Sequence, residues 1–596
     1  MGILLKEIRV RNYHSLEKVN VFLEPLTLLV GQNNYGKTSL LRCLELALGT
    51  SNKNFNHDDI FIHKNEVLPN DRKVIIDILI VPVDNDNKQI AAFEGIWKEH
   101  LGMMIQQDDK DNEFFAVRTI GEYNFDKNEY EISQFYLTEW KTNPDDIEKS
   151  KGKPGLSKKL LEAIPLYFMY AQRDIQEDLK NRSSFWGKLV SDIGLSNKDV
   201  EEIEGELSDI NEKIIKNSKV LQHLKNSLEN LNKSNSNSNI NEGVRITPLT
   251  RKIRDLNRGM DIHYKDGDAE SFSLSNHGMG TRSWATLLTF EAYISWKCNQ
   301  AKEKNKPFYP ILALEEPEAH LHPQAQRHIF EQLNNIMGQK FISTHSPYIS
   351  SQSPLQSIRH FNKKGESTDV NPINLDTLDA EDIRKLNREV IYTRGELLFA
   401  RALVLFEGET EDQALPIFAK KYWGRYPFEL GISFLSVSGT NYKPFLRIAN
   451  SLGIEWFILS DGESNTISSL KNTLTNMSIM NDNIFPDNVV ILDNDTKFES
   501  YLIKEGYSNE LNQAILNCRL TNSCNEQHES AIKRDFAPLN NEALLNELSS
   551  NKTKYATFIA DAIIRSDNKT KIFPSKIQTL LEIVSDKIRI PKAEDN

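Results

Sequence analysis

The chain has 596 residues, of which 39% are hydrophobic and 26% charged, with a formal net charge of −12. That length exceeds a single hydrophobic core and points to about two to four domains. No apolar run is long enough to span a membrane, the first residues lack an apolar signal core, and four scattered cysteines (Cys43, Cys298, Cys518, Cys524) exclude a disulfide framework, so a cytoplasmic protein without a membrane partner is expected.

In chain order, Leu26–Val30 is a mostly apolar run ending at Gly31, and helical apolar spacing follows over Ser39–Leu48. Between them, Gly31-Gln32-Asn33-Asn34-Tyr35-Gly36-Lys37-Thr38 matches the phosphate-binding loop in its required strand–loop–helix setting. Its glycines let backbone N–H groups wrap phosphates at the positive end of a helix, Lys37 reaches the β and γ phosphates, and Thr38 ligates Mg²⁺. Gly31, Asn34, Gly36, Lys37, Thr38 and Ser39 are therefore the expected nucleotide contacts, with ATP and Mg²⁺ (or Mn²⁺) as cofactors.

Residues 51–175 are mixed, with strands expected at Val74–Val81 and Pro165–Tyr170. Then Val200, Ile203, Leu207, Ile210, Ile214, Leu221, Leu224, Leu228 and Leu231 follow an alternating three–four spacing, with Asn217 at the missing position. This heptad seam corresponds to about 48 Å of helix. It serves either as a helix packed on its own domain or as a contact between subunits. A polar linker, KSNSNSNINE, closes it. Beyond it, Arg251, Lys252, Arg254 and Arg258 form a local basic stretch that could meet phosphates despite the acidic total. Cys518, Cys524 and His528 are poorly spaced for zinc.

The apolar strand Tyr309–Leu314 ends in Glu315-Glu316-Pro317-Glu318-Ala319-His320-Leu321-His322-Pro323. Carboxylates directly after a buried strand can hold Mg²⁺ and orient a water on the γ-phosphate. A further strand, Lys340–Ile342, leads into Ser343-Thr344-His345-Ser346-Pro347 and places a histidine at the end of a neighbouring strand.

A second α/β region opens with the strand Ala402–Phe406, which runs into Glu407-Gly408-Glu409-Thr410-Glu411-Asp412. A helix over about 412–420, a strand Ile432–Val437 with Gly439 after it, a helix over about 444–452 and a strand Trp456–Leu459 follow. The last strand ends in Ser460-Asp461-Gly462-Glu463. Alternating strands and helices predict a parallel sheet, whose strand ends share one edge. Glu407, Glu411, Asp461 and Glu463 then converge as oxygen ligands that repel one another until a cation such as Mg²⁺ or Mn²⁺ is present. The competing reading is a set of solvated strand-end acids.

The phosphate loop, EEPEAHLHP and STHSP together resemble the ATPase of the Overcoming Lysogenization Defect (OLD) family, related to the ATP-binding-cassette ATPases of DNA repair and chromosome maintenance. The resemblance implies that Glu315 serves the nucleotide metal, Glu316 activates water and His345 senses the γ-phosphate. It also implies that Leu274-Ser275-Asn276-His277-Gly278-Met279-Gly280-Thr281-Arg282 is the signature loop, with Ser275, Gly278 and Gly280 meeting nucleotide bound by another subunit. Tyr170-Ala171-Gln172-Arg173-Asp174 resembles a family segment of unassigned role. The second region resembles the Toprim domain. By that likeness Glu407, Glu411, Asp461, Glu463 and Glu499 are metal ligands, with Glu463 standing where Asp is usual. Lys571 is the late lysine that stabilises the transition state, with Lys569 and Lys576 as competitors.

The expected fold class is α/β, an N-terminal ABC/SMC-like ATPase with a helical heptad insertion followed by a C-terminal Toprim domain. The expected domains are 1–175 and 251–390 for the ATPase, 176–250 for the insertion and linker, and 391–596 for Toprim. The resulting expectation is an ATPase-regulated, metal-dependent DNA endonuclease of anti-phage defence. It would act as a homo-oligomer (dimer or tetramer), and the resemblance implies a helicase or reverse-transcriptase (retron) partner in some members. The alternative is a non-cleaving ATP-dependent nucleic-acid sensor or scaffold. A topoisomerase or primase lacks a companion domain in this chain.

Overall fold

The computed structural model describes residues 2–49, 55–67, 72–143, 146–147, 150–156, 158–170, 196–219, 222, 263–264, 272–273, 278–375, 378–480, 484–521, 525–566 and 573–591. Residues 171–174, Ser275, the seam at Leu221, Leu224, Leu228 and Leu231, the polar linker, Arg251–Arg258, Cys524, Lys569 and Lys571 lie outside them. Among the described residues no helix is long and apolar enough to cross a membrane.

The chain opens with β1 (Gly2–Tyr13), β2 (Leu16–Phe22) and β3 (Leu26–Gly31), then α1 (Lys37–Leu48) and β4 (Val74–Val83). β5 (Glu113–Asn124), β6 (Glu129–Leu137) and β7 (Leu166–Met169) precede α2 (Asn197–Asn217) and α3 (Met279–Glu303). Next come β8 (Ile311–Glu315), β9 (Gln339–Ser343), β10 (Ile358–Lys364) and β11 (Ser367–Pro372). The C-terminal part runs β12 (Ala402–Phe406), α4 (Glu409–Trp423), β13 (Ile432–Ser436), α5 (Lys443–Leu452), β14 (Glu455–Ser460), α6 (Ser464–Asn476), β15 (Val489–Ile491) and α7 (Phe498–Lys504), followed by further helices. Every strand read from the sequence is present. α4 begins three residues earlier than expected, which puts Glu411 in its first turn rather than in the preceding loop.

Ser196 and Asp199 form a capping box that starts α2, and Ser218 is extended (φ −97°, ψ 108°) and interrupts the helix after Asn217, with Lys219 and Gln222 helical again and the seam from Leu221 onward outside the described residues. Asn and Ser offer the backbone side-chain hydrogen bonds that compete with the helix. Ile210 is 43% exposed, so this part of the seam has no tight packing to override that preference.

The chain separates into two compact units, one of Met1–Lys6, Leu41–His57 and Ile76–Ser343, the other of Glu7–Leu40, Asp58–Ile75 and Thr344–Asn596. In the first unit β5 and β6 form an antiparallel ladder, and β8 pairs in parallel with both β7 and β9. Ile311–Leu314 is wholly buried, as a parallel strand covered on both faces must be. Arg118 on β5 is buried and binds Asp77 with two hydrogen bonds, at 2.8 and 2.6 Å.

In the second unit β3 pairs in parallel with β10, Leu28 to Gly31 opposite Ile358 to Phe361. β10 turns back into antiparallel β11. A second sheet, order β13–β12–β14–β15, is parallel throughout. Its central strand β12 is entirely buried and belongs to one core with α4, α7 and the C-terminal helices. Between β11 and β12 the backbone runs through a helix, Ala380–Leu386, a π-turn, Asn387–Ile391, and a 3₁₀ segment, Gly395–Phe399. Leu386, Val390, Ile391, Leu397 and Leu398 are all buried along it.

Candidate functional site

The phosphate loop lies between β3 and α1 in the second unit. Lys37 is buried, and its Nζ donates to the carbonyls of Gly31 and Gln32, each at 2.8 Å. Asn34 takes a left-handed conformation, φ 63°. Ser39 Oγ lies 3.2 Å from His14 Nδ1, whose Nε2 is 3.0 Å from Asp59. His14 gave no sequence signal, because its partners are 25 and 45 residues away. His345 belongs to the same unit. Burial, reinforced by the Lys37 charge, lowers its pKa to about 4, so it is neutral at physiological pH. Its ring lies 6.0 Å from that of Phe399.

Glu315 and Glu316 lie in the first unit at the end of β8, where Glu316 N donates to Ser343 O at 2.9 Å. Glu316 has φ 43°. A non-glycine residue holds that conformation only at a cost, and such residues gather at functional sites. Gly278 and Gly280 begin α3, and Gly280 sits against His320 of the same acidic loop. Tyr170 receives Arg42 over its ring at 5.0 Å.

The second site forms at the carboxyl edge of the β13–β12–β14–β15 sheet. Glu407 follows β12, Asp461 follows β14, and Glu411 and Glu499 come from the first turns of α4 and α7. Glu407 accepts from Ser460 Oγ at 2.8 Å and from Asp461 N at 3.0 Å. Thr410 Oγ1 donates to Glu499 at 2.6 Å. The Glu411 carboxylate folds over Gly408, where a Cβ would fall 2.2 Å from Glu411 Oε2, so a side chain there would displace that carboxylate.

These acids perturb one another. Burial first, then the charges of Asp461, Glu499 and Glu407, push Glu411 up to about 8. Burial, with Glu407, Glu499 and Glu463, pushes Asp461 up to about 7, opposed by Lys497. Burial also raises Glu407. Glu463 is more exposed and pairs with Lys497 at 3.3 Å.

Among the described residues no three such side chains form a ready-made metal cage. The donor set nevertheless fits a hard cation: every group is a carboxylate, and Asp461 Oδ1 is buried without a hydrogen-bond partner. Lys576, one of the competing lysines, lies in the first turn of the helix Ser575–Ile588, and its N–H donates to Tyr501 Oη. Sequence reasoning missed Thr410, Tyr442, Ser460 and Lys497. Of these, Thr410 and Ser460 adjoin acids already singled out.

A nucleotide-binding loop fed by a parallel strand and an acidic edge on a second parallel sheet define an ATPase joined to a Toprim domain. Residues 4–350 match the AAA ATPase domain family and residues 398–462 match the family described as Overcoming lysogenization defect protein-like, TOPRIM domain. The chain belongs to the AAA ATPase domain family, and its Toprim part matches the OLD-like family over residues 398–462. It is 21% identical over 475 residues to the uncharacterized protein YbjD of Escherichia coli K12, covering 77% of this chain and 80% of that one. It is 24% identical over 489 residues to the Old nuclease of Escherichia phage P2, covering 77% of each. It is 23% identical over 473 residues to endonuclease GajA of Bacillus cereus VD045, covering 76% of this chain and 74% of that one. Glu499 and Lys571 lie beyond the matched Toprim residues.

Proposed function

We propose that the protein is an ATP-regulated, divalent-metal-dependent DNA endonuclease, working as a homo-oligomer in anti-phage defence. The observation that carries this reading is the buried acidic cluster, in which Glu411 and Asp461 are raised to about 8 and 7 and Asp461 Oδ1 has no partner. So many crowded carboxylates suit a cation. The names of the relatives, an Old nuclease and an endonuclease, favour cleavage over binding alone.

In this reading Glu407, Glu411, Asp461 and Glu499 hold Mg²⁺ or Mn²⁺, with Glu463 at the rim. An ion held there would supply Lewis acidity to the scissile phosphate. Ser460 and Asp461 N–H fix the Glu407 carboxylate, and Thr410 fixes Glu499, so the ligands are oriented before metal arrives. Lys571 is the candidate that neutralises charge on the leaving oxygen. At the nucleotide site Lys37 and Thr38 hold the phosphates and Mg²⁺, Glu315 assists that ion, Glu316 orients water, and neutral His345 donates to the γ-phosphate. The signature loop with Ser275, Gly278 and Gly280 serves nucleotide held by another copy. The proposed domains are 1–175 with 251–390, 176–250, and 391–596.

The test is cleavage of plasmid and linear duplex with Mg²⁺ or Mn²⁺ by wild type, Glu407→Ala and Asp461→Ala. Losing a ligand should cost roughly a hundredfold or more in rate while ATP hydrolysis persists. Equal cleavage by all three points to another active site. A wild type that binds DNA but cuts nothing across metals and nucleotides favours the sensor or scaffold.

A further inference from the structure

We propose that α5 is a strut that sets the Glu407 carboxylate from strands β10 and β11, with Tyr442 as the positioning residue at its leading end. The inference rests on the metal-site reading above and deepens it.

The trailing end of α5 is held unusually firmly. The last carbonyls of a helix have no partner within it and are commonly left to water. The Leu452 carbonyl instead faces three side chains from the β10–β11 hairpin. His360 Nδ1 donates at 3.2 Å, Asn371 Nδ2 lies at 3.4 Å, and Asn362 Nδ2 donates to the same oxygen. A carbonyl has two lone pairs, so three donors exceed what satisfaction alone requires. The next residue, Gly453, has φ 67°, and a Cβ there would lie 3.0 and 3.1 Å from the Asn362 and Asn371 amides. A side chain there would press on both amides.

The flank of α5 is also tied. Lys443 meets Asp382 at 3.1 Å, and Arg447 meets the same carboxylate. Asn441, just before the helix, donates to Glu389.

At the leading end Tyr442 is wholly buried. Its hydroxyl lies against the Glu407 carboxylate and Ser460, without an aligned hydrogen bond. The preceding turn holds the Glu407 backbone, since Gly439 N and Ser436 Oγ both donate to Glu407 O at 3.2 Å. A ten-residue helix is about 15 Å of stiff rod. Fixed at both ends, it carries a displacement of β10 to Tyr442 and thence to Glu407. β10 is the parallel neighbour of β3, and Phe361 stands opposite Gly31 at the mouth of the phosphate loop. The strut therefore gives nucleotide contacts at Gly31 a material route to the metal ligand.

The test uses the full chain and reads Mn²⁺ binding directly, by electron paramagnetic resonance of free Mn²⁺, beside amide hydrogen exchange along α5. The variants are the double substitution Asn362→Ala/Asn371→Ala, Tyr442→Phe and, as a reference for lost metal binding, Glu407→Ala. Expected results are about threefold to tenfold weaker Mn²⁺ binding in the double variant, which frees the trailing end of α5, and in Tyr442→Phe, which removes the hydroxyl that lies against the Glu407 carboxylate. Exchange in the last turn of α5 should rise in the double variant only. Folded variants that bind Mn²⁺ within twofold of wild type overturn the strut. A wild type that binds Mn²⁺ but cuts no DNA leaves the strut standing and removes the nuclease reading. A wild type that binds no Mn²⁺ overturns both the metal reading and the strut.

Discussion

The hydroxyl of Thr410 donates to the Glu499 carboxylate at 2.6 Å, joining the first turns of two helices 89 residues apart in the chain. Both side chains are buried, and the Glu499 charge helps to raise Glu411 and Asp461. Thr410→Val keeps the shape and removes the donor, leaving a buried carboxylate short of a partner. The expected loss is about 1.5–3 kcal/mol in urea unfolding, the range for a hydrogen bond to a charged group. Thr410→Ser should recover most of it. An unchanged midpoint would mean that Glu499 is satisfied by other means.

The raised carboxyls make metal-free stability depend on pH in a defined sense. Glu411 and Asp461 keep their protons in the fold up to about 8 and 7. Unfolded carboxyls release theirs near 4. The folded state therefore binds more protons across that window, and stability falls as pH rises through it. A divalent cation replaces those protons, so its stabilising effect should grow between pH 6 and 8. Thermal melts in chelator and in Mn²⁺ at each pH measure this. A metal-induced shift that is constant with pH would show that these carboxyls do not receive the ion.

Nucleotide turnover should separate into binding and chemistry. Lys37→Ala removes a phosphate contact and should weaken ATP binding. Glu316→Gln keeps the size of the residue at φ 43° and removes its charge. ATP should remain bound while hydrolysis falls by about a hundredfold. Nucleotide titration and phosphate release on both variants check this, and undiminished turnover in both would remove the ATPase roles given to these residues.

The buried pair in the first unit yields a stability prediction that involves none of the residues assigned to either site. Arg118 gives Asp77 two hydrogen bonds and gives others to the carbonyls of Ser150 and Ile147. Asp77→Ala strands a buried guanidinium and should cost about 3–5 kcal/mol. Replacing both partners, Asp77→Leu with Arg118→Met, should recover a large part of that in denaturant melts. A double variant as unstable as the single one would show that the carbonyl contacts, not the ion pair, dominate.

Strand-end carboxylates could be read from the sequence because a buried strand is a short apolar run and its last residue is fixed by the first polar one. Glu407 and Asp461 were legible for that reason, and the matching ends of β12 and β14 confirm their placement. The residues that orient them were not. Ser460 reaches Glu407 across 53 positions, and a sequence carries no sign of such a pairing. The β10–β11 hairpin also escaped notice. It buries Arg359 and His360 where a strand pattern calls for apolar residues, and its polar face resembles a loop. The heptad seam shows a finer limit: its apolar period was legible, but the break at Ser218, where little packing holds the helix together, was not.

The join between the hairpin and β12 has a consequence for how such proteins diversify. Residues 380–400 are a packed helical passage, buried at Leu386, Val390, Ile391, Leu397 and Leu398. A recombination crossover within it would splice half of one complementary surface onto half of another. New pairings of the two domains should therefore arise from crossovers outside this passage, so that it is inherited whole. Insertions between residues 380 and 400 should be rarer among natural variants than insertions in the surface loops of the same chain.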